Sequence, residues 1–210
     1  METAAQRRSQ QRLDARRAIL DAAESVLADG GYESFSIRRL AERCGYTAPT
    51  IYHYFGDKRG LLDALLEERF GDMLRLIRRV PLSPDPLDTI RARARAFVRF
   101  GLSNPTHYRI LTSHRDASAR PLQTAEDARG LLEQPWRQLI EQGRLAAAHL
   151  DLAQQSFFAL LHGIISLRSS RQDLDWSPTI VEDSVDALLR GWTTPYTAPR
   201  LAGPPRRGKS

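Results

Sequence analysis

The sequence predicts an all-α protein, and three observations carry that expectation. Apolar residues recur at three- and four-residue steps along most of the chain. Sustained period-two alternation is nearly absent. Glycine, proline or a short polar residue stands where each apolar stripe begins or stops. The architecture expected is an N-terminal helix-turn-helix unit of three helices followed by a larger helical unit, about nine helices in all.

Composition narrows the class further. The 210 residues are 41% hydrophobic and 27% charged, the make-up of a soluble globular chain. No uncharged apolar run approaches the roughly 18 residues of a membrane span, so no membrane partner is expected. The first twenty residues carry five arginines and no apolar core, unlike a secretory signal. Cys44 is the only cysteine, which excludes an internal disulfide and points to a cytoplasmic location. The net charge is +6, and its placement is uneven. Residues 61–192 hold 17 basic and 17 acidic side chains, whereas both ends are net basic. Basic ends of this kind suit nucleic acid or an anionic surface.

The first helix is expected over Leu13 to Ala28, with Ile19, Leu20, Ala23, Val26 and Leu27 inward and Gly30-Gly31 ending it. Residues 1–12 read as a disordered basic arm. A short second helix starts at Ser36, buries Ile37, Leu40, Ala41 and Cys44, and breaks at Gly45. Thr47 caps a third helix, with Pro49 in its first turn and Gly56 after it. Asp57 caps a long fourth helix whose stripe runs from Leu61 to Ile77.

The segment Val80 to Pro86 cannot continue a helix. Further helices are expected over Leu87 to Leu102, from Asn104-Pro105 through Leu111, over Leu122 to Ala148 with a kink at Pro135, over Leu152 to Arg171, and from Ser177-Pro178 to Gly191. Residues 113–121 read as a polar loop and residues 193–210 as a disordered tail.

Helix, glycine turn and helix across residues 36–54 form a helix-turn-helix pattern. The second helix of such a pair fits the major groove of DNA. Its first turns must then offer short polar groups outward, and Thr47, Thr50, Tyr52 and His53 are such groups. The third helix is too short to stand alone, so Ile51 and Phe55 must pin it. Lys58, at the start of the fourth helix, can reach a phosphate.

The run Phe35-Ser36-Ile37-Arg38-Arg39-Leu40-Ala41, then Gly45, Pro49-Thr50-Ile51-Tyr52-His53-Tyr54-Phe55 and Lys58-Arg59-Gly60-Leu61-Leu62, resembles the DNA-binding domain of tetracycline-repressor (TetR) family regulators. The resemblance covers about the first third of the chain. It implies a homodimeric transcriptional regulator, expected to be a repressor, that leaves a palindromic double-stranded operator when a small, largely apolar effector binds. It implies a DNA-binding domain over residues 13–58 and an effector-binding and dimerisation domain over residues 59–192. It further implies that Ser36 and Arg38 touch the DNA backbone. Thr47, Ala48 and Thr50 would face bases or phosphates, Tyr52 and His53 would contact phosphate and groove edge, and Lys58 would contact phosphate. Family members often carry a larger side chain where Ala48 stands, so readout there is limited to a thymine methyl. Phe158-Ala159-Leu160-Leu161-His162-Gly163, with Asn104-Pro105 and Tyr108, also resembles the subgroup with a Trp-His-Gly signature, Phe158 replacing the tryptophan.

Phe97, Tyr108, Trp136, Phe158 and His162 are candidates for the wall of a ligand pocket, against the plainer reading that aromatics at helical spacing form core. The Ala159-to-Gly163 step permits close helix approach, in a dimer seam or within the chain. Nothing points to catalysis. There is no glycine-rich phosphate loop, and the histidines at 53, 107, 114, 149 and 162 lack metal-ligand spacing with carboxylates. No cofactor or metal is expected. The alternative function is a helical ligand- or partner-binding protein whose helix-turn-helix is vestigial.

Overall fold

A computed structural model describes residues 3–31, 34–112 and 123–193. They form α1 (Ala4–Gly30), α2 (Ile37–Cys44), α3 (Ala48–Phe55), α4 (Lys58–Arg78), α5 (Pro86–Ser103), α6 (Pro105–Thr112), α7 (Gln123–Glu141), a single 3-10 turn at Ala147–His149, α8 (Leu150–Ser170) and α9 (Ile180–Thr193). Strands are absent among the described residues. The polar loop and C-terminal tail expected from the sequence lie almost wholly outside the described residues.

Two cores organise the chain. The first joins α1, α2, α3 and the start of α4, with Ile19, Leu20, Ala23, Leu40, Ile51, Leu61 and Leu65 fully buried. Each buried leucine or isoleucine contributes about 1.5–3 kcal/mol. The second core takes the end of α4 with α5, α7, α8 and α9, around Ile77, Ile90, Leu139, Ile165 and Leu189. Helix α4 runs through both cores, and Phe70 packs at the edge of each.

Helix α1 opens at Ala4, not near Leu13, so the segment expected to be an unstructured arm is largely helical. Its first turns bury almost nothing and are sustained locally. Thr3 and Gln6 form a capping box, the Gln6 N–H donating to Thr3 Oγ1 at 3.2 Å and the Thr3 N–H to Gln6 Oε1 at 2.7 Å. Good helix formers fill the turns that follow.

Helix α7 ends at Glu141 rather than at Ala148. Gly143 takes φ +69°, the left-handed conformation that reverses the chain, and Arg144 N–H returns to the Leu139 carbonyl at 2.8 Å. The turn drops Leu145 into the second core. Pro135 lies inside α7. Helix α9 starts at Ile180, just after the Ser177-Pro178 at which it was expected to begin.

Close helix approach occurs at Gly101 of α5. A Cβ there would meet Ile165 Cδ1 of α8 at 2.7 Å, so any side chain at this crossing would force Ile165 to shift. At Gly163 of α8 a Cβ would meet nothing within 4 Å. The tight intrachain crossing is therefore at Gly101, and Gly163 belongs to an outer surface.

Candidate nucleic-acid interface and internal cavity

Helices α2 and α3 are held by buried anchors, and the turn between them needs glycine. Ile37 and Leu40 of α2 and Ile51 of α3 face the first core. Gly45 adopts φ +72° and donates its N–H to the Ala41 carbonyl at 3.0 Å. The Phe55 ring packs against the same core with the Arg16 guanidinium 5.5 Å from its centroid. Cys44 is half-buried at the end of α2.

This anchoring turns the other face of α3 outward. Thr47, Tyr52 and His53 are exposed, and Ala48 and Thr50 are half-exposed. Tyr52 is 45% exposed, unusual for a large ring. Thr47 caps the helix by accepting from the Thr50 N–H at 3.4 Å, and the two hydroxyls lie 2.9 Å apart. The pair forms a single polar edge at the helix entrance.

The basic residues around this face are exposed and several are already engaged. Arg38 is 89% exposed and meets Glu42 at 3.2 Å. Arg39 donates to the Ser34 carbonyl at 3.1 Å. Lys58 Nζ donates to the Phe35 carbonyl at 2.8 Å, tying the start of α4 to the entry of α2. Ser36 is half-buried, and its hydroxyl accepts from the Arg39 N–H at 3.3 Å as the cap of α2. Arg59, which the sequence reading passed over, is exposed beside Lys58 at the start of α4. Its position next to a basic helix N-terminus was the available signal.

The second unit holds a cavity of about 490 Å³, partly open to solvent and walled by α4 to α8. All five residues predicted as pocket candidates reach it: Phe97 from α5, Tyr108 from α6, Trp136 from α7, and Phe158 and His162 from α8. Trp136 meets Phe157 edge to face at 5.4 Å, and the His162 ring lies 5.4 Å from Phe97 and 5.7 Å from Phe158. Phe70 and Met73 bring α4 to the same wall.

The Tyr108 hydroxyl and His162 Nδ1 share a hydrogen bond of 2.6 Å. Burial pushes the His162 pKa below its ordinary value and the Tyr108 pKa above its own, so both are neutral near pH 7. Arg93 of α5 is a wall residue that the sequence reading missed. Its signal was its register, three residues after Ile90 and four before Phe97, on the buried face of the helix.

Helix α6 joins the two units. Tyr108 faces the cavity, while its neighbours hold α1. His107 Nε2 lies 2.7 Å from Glu24 Oε1, and Arg109 donates to the carbonyls of Leu27 and Ala28. Arg69 of α4 completes the seam with Asp21 and Glu24, both at 2.8 Å. Neither His107 nor Arg109 was singled out from the sequence, because no local pattern marks contacts 81 to 83 residues distant.

Among the described residues no group of histidine, cysteine and carboxylate side chains could hold a metal ion. No helix there is long and apolar enough to cross a membrane.

A helix-turn-helix face on one core and a ligand-sized cavity in the other define a two-part regulator. Residues 19–65 match the family model described as bacterial regulatory proteins, tetR family. Residues 90–191 match the model described as tetracyclin repressor-like, C-terminal domain. The chain belongs to the TetR family of transcriptional regulators.

The tetracycline repressor protein class C of Escherichia coli is 48% identical over 52 residues, which span 25% of this chain and 24% of that protein. A protein with unknown function from Rhodococcus sp. RHA1 shares the fold at a TM-score of 0.72 and 25% identity, over 85% of this chain and 95% of that one. The transcriptional regulator FadR of Bacillus subtilis, solved in complex with stearoyl-CoA, has a TM-score of 0.67 at 18% identity, over 85% of this chain and 97% of its own. That last likeness speaks for the fold alone.

Proposed function

We propose that the protein is a homodimeric repressor, not an enzyme, that binds a palindromic operator in the cytoplasm and leaves it when a small effector fills the cavity. The observation that carries this reading is the double engagement of α6. One face presents Tyr108 to the cavity, and the flanking His107 and Arg109 grip α1 of the DNA-binding unit. An effector that displaces Tyr108 from His162 moves the same short helix that positions α1. Helix α4 offers a parallel route, since Phe70 and Met73 wall the cavity while Leu61 and Leu65 lie in the first core.

On DNA, α3 serves as the recognition helix. Thr47, Ala48 and Thr50 face base edges or phosphates, Tyr52 and His53 reach phosphate and groove edge, and Ser36, Arg38 and Lys58 contact the backbone. Ser36 can do so only through lone pairs left by its capping role, and Lys58 only by leaving or sharing the Phe35 carbonyl. Arg59 adds a further phosphate contact.

One short helix makes few base contacts, so a twofold pair is needed, with recognition helices about 34–36 Å apart. The outer face of α8 supports the pairing. Leu152 and Leu167 are 57% and 50% exposed, and Ala159 and Gly163 leave room for a second helix between them. Helix α9 adds exposed Ala187 and Gly191, giving a four-helix seam. Release requires the effector to favour the non-binding separation, because equal affinity for both states shifts nothing.

Genome-wide selection of bound DNA fragments tests the reading. A shared palindrome bound by the parent chain, and lost in a folded Thr50→Ala/Tyr52→Ala variant, supports it. No enriched fragment would favour a helical ligand-binding protein with a vestigial helix-turn-helix.

A further inference from the structure

Arg93 stands in the cavity wall with no counter-charge among the described residues. It is 5% exposed, its Nη1 donates to the Leu131 carbonyl of α7, and its buried Nε has no hydrogen-bond partner. No carboxylate among the described residues pairs with it. Glu133 and Asp151 both line the same cavity, Glu133 engaged by Arg137 at 2.8 Å and Asp151 exposed in the first turn of α8. Burial pulls the guanidinium pKa down, with no anion among the described residues to raise it. Elsewhere in this chain buried arginine is handled differently, since Arg69 at 7% exposed is ringed by Asp21, Glu24, Glu68 and Asp72.

A buried charge is ordinarily paired, because desolvation without a partner is costly. A guanidinium also presents a planar fork that matches a carboxylate with two parallel hydrogen bonds. The surroundings select the rest of the ligand. Phe97, Trp136, Phe157 and Phe158 give an aromatic wall, and the Tyr108–His162 pair beside them is neutral. The volume of about 490 Å³ falls within the roughly 300–1,000 Å³ range of small-molecule sites.

We infer that the cavity takes an organic acid with one carboxylate and an apolar body, the carboxylate seated on Arg93. The inference rests on the effector-site reading above and names its ligand class. Arg93 is then the specificity-determining residue, rejecting the neutral analogue of an otherwise identical ligand.

Calorimetry on the full chain without DNA tests it with matched probes. These are decanoate against decan-1-ol, 4-phenylbutanoate against 4-phenylbutan-1-ol, and decylamine. We expect at least one acid to bind tenfold or more tightly than its alcohol, about 1.4 kcal/mol, with decylamine weaker still. Arg93→Met should erase the acid preference while circular dichroism reports an intact fold, and Arg93→Lys should keep part of it. The comparison of acid with alcohol in the parent chain depends on no variant. No acid preferred over its alcohol, tighter binding of decylamine, or a preference that survives in folded Arg93→Met would overturn the assignment. Acids that bind as expected yet leave operator affinity unchanged would sink the release mechanism and leave this assignment standing.

Discussion

The Arg109 guanidinium closes the end of a helix in the other unit, its Nη2 donating to the Leu27 carbonyl at 3.1 Å and the Ala28 carbonyl at 2.9 Å. These carbonyls belong to the last turn of α1, which has few intrahelical donors left to satisfy it. A cation there also meets the negative end of the helix dipole. Removing it in Arg109→Ala should cost about 1 kcal/mol, discounted from a buried charged bond because Arg109 is exposed. Amide hydrogen exchange over residues 27–31 should speed by about fivefold while the second core keeps its protection. Unchanged exchange there would show that α6 does not hold α1.

Tyr52 should separate recognition from folding. Its ring is 45% exposed, so Tyr52→Ala should change stability by no more than about 0.5 kcal/mol. Operator affinity, read by fluorescence anisotropy on a selected fragment, should fall tenfold or more. Thr47→Ala is expected to cost in both measurements, because its hydroxyl caps α3.

The range of each interaction decides whether the sequence alone reveals it. The helix-turn-helix unit was legible because its determinants are local: a cap at Ser36, a left-handed glycine at 45, a cap at Thr47 and an apolar residue at Ile51. The five pocket candidates were legible because aromatics on facing helical stripes converge on the same interior. The first turns of α1 escaped because they have no apolar stripe, only propensity and a cap. The charge on Arg93 was readable from register, but that no carboxylate among the described residues pairs with it needs the other helices in place. The α6–α1 clamp joins residues too distant in sequence for any periodicity to pair them.

Salt dependence should report the phosphate contacts. Arg38 is 89% exposed and meets Glu42 in a surface ion pair that contributes little. Arg38→Gln should weaken binding of all DNA sequences alike and reduce the slope of log affinity against log salt by about 1 per subunit. A slope equal to that of the parent chain would remove Arg38 from the backbone contacts.

His162 should couple stability to pH. Burial holds its folded-state pKa below the unfolded value, so the unfolded chain binds more protons as pH falls through the ordinary histidine range near 6.5. The stability is therefore fully present above that range. It is lost progressively as pH falls toward the depressed folded-state value. Asp85, whose pKa is lowered chiefly by its hydrogen bond with Arg144, contributes in a separate and more acidic window below the usual carboxylate range. Thermal melts between pH 7.5 and pH 5 should show the decline. His162→Asn should flatten it at the cost of a lower Tm throughout. A parent-like slope in that variant would assign the dependence to another group.

Gly163 gives a test of pairing that does not confuse dimer loss with unfolding. The residue lies within α8, and a Cβ there meets nothing within 4 Å in its own chain. A side chain at this position costs the protomer nothing in packing. Replacing glycine inside a helix also gains about 0.5–1 kcal/mol of helix propensity at best. In a twofold seam built on α8, the same side chain is forced against the partner's helix. Gly163→Arg should therefore give a folded monomer by sedimentation velocity, with circular dichroism intact. Operator affinity should drop by two orders of magnitude or more, since one recognition helix remains per particle. A Gly163→Arg chain that sediments as a dimer would move the interface off this face of α8.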